Sequence, residues 1–174
     1  YNYASDKDYF ADFENNPNSK TDVNLRRAWE LNYQNGIPGL KAQLKVEDFQ
    51  TLDKTIKDAD KPYARLPQFL LNYVTGDPQG LQYEFNNDTA YFKKSINDDS
   101  ALESSGTRIY NQLAMRYNYI TPSWFYAIPE VSVRTVNTFY DQDSQNGRGF
   151  SSDDLEKSVV VPQLSFATGI TFEK

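Results

Sequence analysis

Apolar and polar residues alternate singly over long stretches of the chain, and the clearest stretch runs from Val23 to Gln34. Successive side chains of an extended strand point to opposite faces, so Val23, Leu25, Trp29, Leu31 and Tyr33 fall on one side of such a strand. Asn24, Arg26, Glu30, Asn32 and Gln34 fall on the other, and only Arg27 breaks the apolar side. Asn35 and Gly36, then Ile37, Pro38 and Gly39, follow as a hairpin signal, because Asn and Gly tolerate the positive φ that tight turns need. The return strand runs from Leu40 to about Phe49, with Leu40, Ala42, Leu44 and Val46 on one face and Lys41, Gln43, Lys45 and Glu47 on the other. The pattern repeats over Ala64 to Val74, Leu81 to Lys93, Thr107 to Ile120, Trp124 to Tyr140 and Val159 to Glu173, and Tyr1 to Ser5 brings the predicted strands to eight.

The connections alternate in length. Short turns are predicted at Asn35 to Pro38, Thr75 to Gly80 and Thr121 to Ser123, and long polar connections at Asp6 to Asp22, Thr51 to Tyr63, Lys94 to Gly106 and Asp141 to Ser158. An up-and-down antiparallel meander puts every short turn at one end and every long loop at the other, as transmembrane barrels do with their periplasmic turns and extracellular loops. Most segments reach the roughly 9 to 11 residues that a tilted spanning strand needs. Aromatics gather near segment ends, at Tyr33, Phe49, Tyr73, Tyr91, Phe92, Tyr117, Tyr119, Trp124 to Tyr126, Phe139 and Tyr140. Those positions match girdles at two membrane interfaces, although aromatics also favour strands in general. The expectation is an all-β chain, an antiparallel meander forming part of a transmembrane β-barrel. Residues 1–174 make one β-barrel segment, a partial domain of a longer chain, since Tyr1, Asn2 and Tyr3 already alternate and Phe172, Glu173 and Lys174 end it without a polar tail.

Composition narrows the function. Hydrophobic residues are 39% and aromatics 15% of the 174 residues, with 13 Tyr and 11 Phe, which suits a wet apolar boundary better than a dry core. The net charge of −6 argues against nucleic acid as a partner. The chain has no cysteine and no histidine, so disulfide and thiolate chemistry are excluded and the commonest metal ligand and general base is missing. No apolar run approaches the ~20 residues of a spanning helix. No enzyme activity, cofactor or metal is expected.

Carboxylate pairs at Asp98 and Asp99, Asp141 and Asp143, and Asp153 and Asp154 all fall in predicted loops. Asp141, Asp143, Gln145 and Gly147 begin like a calcium loop, but Ser152 stands where such a loop closes with Glu, so solvated loop carboxylates are the expectation. Asn87, Asp88 and Thr89 spell a glycosylation sequon inside a predicted strand and are given no role. Pro67, Pro129 and Pro162 interrupt strands, each followed by Gln or Glu. Proline withholds a ladder donor, so these sites predict bent or weakened pairing, as curvature rather than as a seam that opens. Arg26, Arg65, Arg108, Arg116 and Arg134 lie on or near polar faces with Glu30, Glu84 and Glu130. In a wide barrel they would line a wet lumen, because a charge facing lipid at mid-depth costs roughly 2 to 4 kcal/mol.

Several strings, taken in order, carry a resemblance. Asp8-Tyr9-Phe10-Ala11-Asp12-Phe13, Phe49-Gln50-Thr51-Leu52-Asp53, Lys61-Pro62-Tyr63-Ala64-Arg65-Leu66-Pro67-Gln68, Gly106-Thr107-Arg108 and Val161-Pro162-Gln163-Leu164-Ser165-Phe166 resemble the barrel of the LptD (OstA) family over nearly the whole chain. The resemblance implies an outer-membrane translocon of a Gram-negative bacterium that inserts lipopolysaccharide into the outer leaflet. It also implies a lipoprotein plug, LptE, and a periplasmic bridge protein that delivers the glycolipid. The family's cysteines and periplasmic domain have no counterpart here, which suggests a middle portion of the barrel, with the lateral gate elsewhere and no gate residue to carry over. The alternatives are another outer-membrane barrel, porin-like or small and eight-stranded, for which Ala114, Ala167 and Gly169 would mark tight interior spots, or a soluble β-sandwich or lipocalin-like binding module.

Overall fold

The computed structural model describes residues 24–52, 56–57, 60–94, 105–121, 124–141 and 155–170. The strands are β1 (Asn24–Gln34), β2 (Leu40–Thr51), β3 (Ala64–Gly76), β4 (Leu81–Lys93), β5 (Gly106–Tyr117), β6 (Tyr119–Ile120), β7 (Phe125–Tyr140) and β8 (Glu156–Ile170). All pair antiparallel in one eight-stranded sheet, each with its neighbour in sequence, except that β7 pairs with both β5 and β6 on one edge and β8 on the other. The expected all-β meander is therefore present, and among the described residues there is no α-helix.

Eight strands agree with the expected number, but they are not the same eight. Tyr1 to Ser5 and Val23 lie outside the described residues, and the single strand expected over Thr107 to Ile120 is two, divided at Asn118. The cause of the division is local. Asn118 donates its backbone N–H to the Gly80 carbonyl at 2.8 Å, and its side-chain amide donates to the Pro78 carbonyl at 3.0 Å and to Gln82 at 2.9 Å. These three bonds turn the chain aside to tie it to the β3–β4 turn. The last strand also starts earlier than expected, at Glu156 rather than Val159, because Glu156, Lys157 and Ser158 continue the ladder opposite Phe139, Thr138 and Asn137.

The short turns follow their residue chemistry. Asn35 has φ 69° and Gly39 φ 77°, and a Cβ on Gly39 would run into the Val74 carbonyl, so glycine is required there. Gly76, at φ 107°, closes β3, and the Asp77 side chain accepts from the Gln79 N–H at 2.9 Å. Thr121 closes the third turn by exchanging bonds of 2.9 and 3.0 Å with the Phe125 backbone. All three connections lie at one end of the sheet.

Pairing fixes which residues share a face. Leu31, Leu44 and Phe69 align on one face and Asn32, Gln43 and Leu70 on the other, and the two sets continue through β8. The polar face is the crowded one: Glu47, Gln68, Ala90, Ala114 and Ser132 are buried on it, with Ala90 only 1% exposed. On the opposite face Trp29, Leu31, Leu113, Val131, Leu164 and Phe166 are exposed, Leu164 to 82%. A sheet curved toward its polar side produces this contrast, since side chains converge on a concave surface and splay on a convex one.

The convex face is not uniformly apolar. Asn87, Asn111 and Thr135 form a row across β4, β5 and β7, where the Asn87 amide donates to Asn111 at 2.8 Å and Asn87 accepts from the Thr89 hydroxyl at 3.2 Å. The sequon residue Asn87 is thus held within a strand ladder. The girdle expectation also needs correction, because Phe49, Phe92, Tyr126 and Tyr140 share the polar face by register. Phe92, Tyr126 and Tyr140 each adjoin another aromatic along a strand, and two consecutive residues cannot both point outward, whereas Phe49, between Asp48 and Gln50, takes the polar face by the β1–β2 register alone.

A charge-paired concave face as the candidate functional site

The polar face carries charged and amide side chains that are dense from β1 to β5 and sparser on β7 and β8. Arg26, Glu30, Glu84, Arg108, Arg116, Glu130 and Arg134, the residues singled out from sequence, all occupy it, as does Arg65. Arg65 and Gln68 share that face although they are three residues apart, because a bulge at Leu66–Pro67 shifts the register between them. A strand without the bulge would place them on opposite sides.

At the long-loop end of β1–β3 the organising group is Glu47, which sequence pattern put on the polar face of β2 without marking it as a centre. Its carboxylate meets Arg26 Nε at 2.5 Å, Lys45 Nζ at 2.8 Å and Arg65 Nη1 at 3.4 Å, while Arg26 Nη2 also reaches Glu30 at 2.7 Å. A carboxylate this buried needs such partners, because an unpaired charge out of water costs several kcal/mol. Farther along, Asp88 accepts from the Gln68 amide at 2.8 Å and faces Arg108 at 3.7 Å, Asn72 donates to Asn86 at 2.7 Å, and Arg116 pairs with Glu84. A groove of about 490 Å³ runs over this stretch, lined by Asn32, Lys41, Gln43, Asn72 and Asn86 among others.

Near the long connections the same face becomes aromatic. The Arg108 guanidinium lies 5.0 Å from the Phe92 ring centre, Arg65 lies 6.0 Å from it on the other side, and Lys94 sits 5.0 Å from Tyr63. Tyr63, Phe92, Thr138 and Tyr140 line a second hollow of about 270 Å³. Cation–ring contacts of this kind hold long basic side chains flat against the wall.

The pairing is uneven. Register sets Glu130 opposite Arg116, yet Arg116 turns to Glu84, and among the described residues neither Glu130 nor Arg134 has an ion-pair partner. The expected prolines fall at irregularities or beside an edge. Pro67 sits in the bulge, Pro129 lies opposite the gap between β5 and β6, and Pro162 pairs with Val133 from β8. Of the expected tight spots, Ala114 is buried on the polar face, Gly169 lies under the Tyr126 ring, where a Cβ would come within 2.5 Å, and Ala167 pairs with Ile128.

Of the acidic pairs, only Asp141 belongs to the described residues, where it accepts the Tyr91 hydroxyl at 2.7 Å. The rest of the calcium-loop pattern lies outside them. No group of three or more potential metal ligands occurs among the described residues. The arrangement is suited to binding and passage of charged groups along a paired wall.

Comparison with known proteins places this wall in a family. Residues 1–174 match the family model LptD, described as LPS transport system D. The chain is 74% identical over 174 residues to the LPS-assembly protein LptD of Acinetobacter baumannii and 68% identical over 176 residues to that of Acinetobacter baylyi. It is 42% identical over 178 residues to the LPS-assembly protein LptD of Psychrobacter cryohalolentis. These alignments cover 99 to 100% of the chain but only 18 to 21% of each relative, so the chain spans about a fifth of their length. A match across every residue, with an all-β meander beneath it, shows that the chain belongs to the LptD family.

Proposed function

We propose that the chain is a stretch of barrel wall in the outer membrane of a Gram-negative bacterium, and that its concave face lines the path by which lipopolysaccharide is assembled into the outer leaflet. The carrying observation is the segregation of faces. Exposed Trp29, Leu113, Leu164 and Phe166 share the convex side with few charges, while the arginine and glutamate ladder shares the concave side. A wall with hydrocarbon on one side and water on the other matches both. Strands of 11 to 16 residues, β6 apart, are long enough to span. On this reading residues 1–174 are one partial domain, the prolines impart curvature, and the role is transport rather than catalysis. A lipoprotein plug, LptE, and a periplasmic bridge protein are the partners that the family resemblance implies.

The test is photocrosslinking from the full-length protein in cells during a pulse of new lipopolysaccharide. Photoreactive residues replacing Asn72 and Gln112 on the concave side should give glycolipid adducts that decay when synthesis stops. Adducts from the convex positions Leu71 and Leu113 should persist, because resident membrane lipid surrounds them. Concave positions that never acquire glycolipid would refute the reading.

A further inference from the structure

The concave side of β5 and β7 holds three polar atoms without a hydrogen-bond partner: Ser132 Oγ, Arg116 Nε and Arg134 Nε. Ser132 is only 3% exposed, so its hydroxyl is withdrawn from bulk water as well as unbonded. Leaving a buried polar atom unpaired is unfavourable, and such groups in a native wall call for an explanation.

Register gathers them in one place. Ser132 lies opposite Ala114 on β5, so the floor there is built from two small side chains, with Gln163 of β8 on the other side of Ser132. Arg116 is two residues beyond Ala114 and Arg134 two residues beyond Ser132, and because the strands are antiparallel they flank that floor from opposite ends. Two residues along a strand is about 7 Å, within the span of an arginine side chain. The two guanidiniums differ in commitment. Arg116 is paired with Glu84, whereas Arg134 has no ion-pair partner among the described residues, unlike Arg26, Arg65 and Arg108 on the same face.

Resting on the proposed transport role, the geometry points to a phosphate seat: the terminal nitrogens of Arg134, with Arg116 at the far rim, form a site on the concave wall that receives a phosphate group of the passing glycolipid. Ser132 Oγ, covered in this structure, is reached as the Arg134 side chain lifts toward the anion. Guanidinium and hydroxyl donors are the groups that bind phosphate oxygens, and a phosphate offers several acceptors at once, enough for donors arriving from both ends of the floor. A neutral sugar hydroxyl would leave the Arg134 charge unanswered.

The experiment uses the purified full-length protein with a photoreactive residue replacing Val161, which pairs with Arg134 in the β7–β8 ladder, and a second version replacing Asn72 on β3. Each is irradiated with lipopolysaccharide, with the same glycolipid after dephosphorylation, and with lipopolysaccharide in excess inorganic phosphate. The expected result is an adduct at 161 that falls at least about fivefold in Arg134→Gln and in Ser132→Val, and likewise on dephosphorylation, while the adduct at 72 persists. Arg134→Lys, which keeps the charge, should retain part of it. Heat-modifiable gel mobility confirms that each variant is folded, and Arg134→Lys remains informative should Ser132→Val fail to fold. Displacement by inorganic phosphate identifies the phosphate as the recognised group, and indifference to it together with indifference to dephosphorylation overturns the seat. An adduct at 161 unchanged in Arg134→Gln also overturns it, as does a protein adduct there in place of glycolipid. Loss of glycolipid adducts at both 161 and 72 in the unsubstituted background would instead bring down the transport reading itself.

Discussion

Replacing Glu47 by Gln keeps the shape of the side chain and removes the one carboxylate that three cations share. Before the change, Arg26, Lys45 and Arg65 face Glu30 and Glu47; afterwards three positive charges face a single carboxylate. How much this costs depends on how dry each contact is. The side chains of Glu47 and Lys45 are 5% and 14% exposed, whereas those of Arg26 and Arg65 are 49% and 40% exposed. The Lys45 contact therefore resembles a buried pair, for which losing one partner costs about 3 to 5 kcal/mol, and the arginine contacts are weaker, water-exposed pairs. Water in the lumen can reach the two arginines but hardly the lysine, so a total of about 3 kcal/mol is expected. The assay is urea unfolding of the full-length protein in liposomes, followed by heat-modifiable mobility. Glu30→Gln is the internal comparison, since it removes only the exposed contact to Arg26 and should move the unfolding midpoint far less. If the two variants unfold at the same urea concentration, Glu47 is not the hub that its contacts describe.

Three further outcomes follow from the faces and the turns. Leu164→Arg, on the convex side, should destabilise the full-length barrel by roughly 2 to 4 kcal/mol if it lies at mid-depth, while Val161→Arg on the concave side should be nearly neutral, both read from unfolding midpoints. Asn118→Ala removes two side-chain bonds that tie β5 to the β3–β4 turn and should cost about 1 to 3 kcal/mol, with faster proteolysis at that turn as a second readout. Gly169→Val would place side-chain atoms in the Tyr126 ring, so the variant should fold less completely, and Tyr126→Ala in the same chain should restore much of the folded fraction on gels.

The strands were legible wherever one face meets apolar surroundings and the other water, because that difference writes a period of two directly into the residues. Val23 to Gln34 and Leu40 to Phe49 show it plainly, and their pairing follows the turn between them. The same period cannot reveal a bulge. Arg65 and Gln68 come to one face only because the ladder shifts between them, and nothing in Leu66 and Pro67 alone states on which side the chain resumes. Asn118 was hidden for a related reason: its partners, Pro78 and Gln82, lie 40 and 36 residues away, and a strand-like neighbourhood masks a side chain whose work is done elsewhere. Glu47 likewise looked like one polar residue in an alternating run. Its importance comes from Arg26, 21 residues earlier, and from Arg65 on the next strand, a convergence that only register creates.

That convergence divides the concave wall into two halves with different properties. From β1 to β4 most charges are held by opposite charges or amides, Arg26 by Glu30 and Glu47, Arg65 by Glu47, Asp88 by Gln68, and Glu84 by Arg116 reaching back from β5, while Lys41 near the short-turn end has no ion-pair partner among the described residues. A surface whose charges are already answered gives a passing anion little to hold and should let it move. From β5 to β8 the wall thins to Ala114, Ser132, Gln163 and Val161, with Arg134 uncommitted on one side of a buried hydroxyl and Glu130, also without an ion-pair partner among the described residues, on the other. An anion gains more there, because the cation it meets does not first have to leave a carboxylate. A translocating wall needs both kinds of surface, since binding that is uniformly strong would trap the glycolipid and binding that is uniformly weak would not orient it. Moving a carboxylate beside Arg134, as Val161→Glu would do, should therefore slow delivery of lipopolysaccharide to the cell surface in the full-length protein more than Arg134→Gln does, because it fills the seat permanently. Delivery at the unsubstituted rate by both variants would show that the unpaired arginine has no part in orienting the glycolipid.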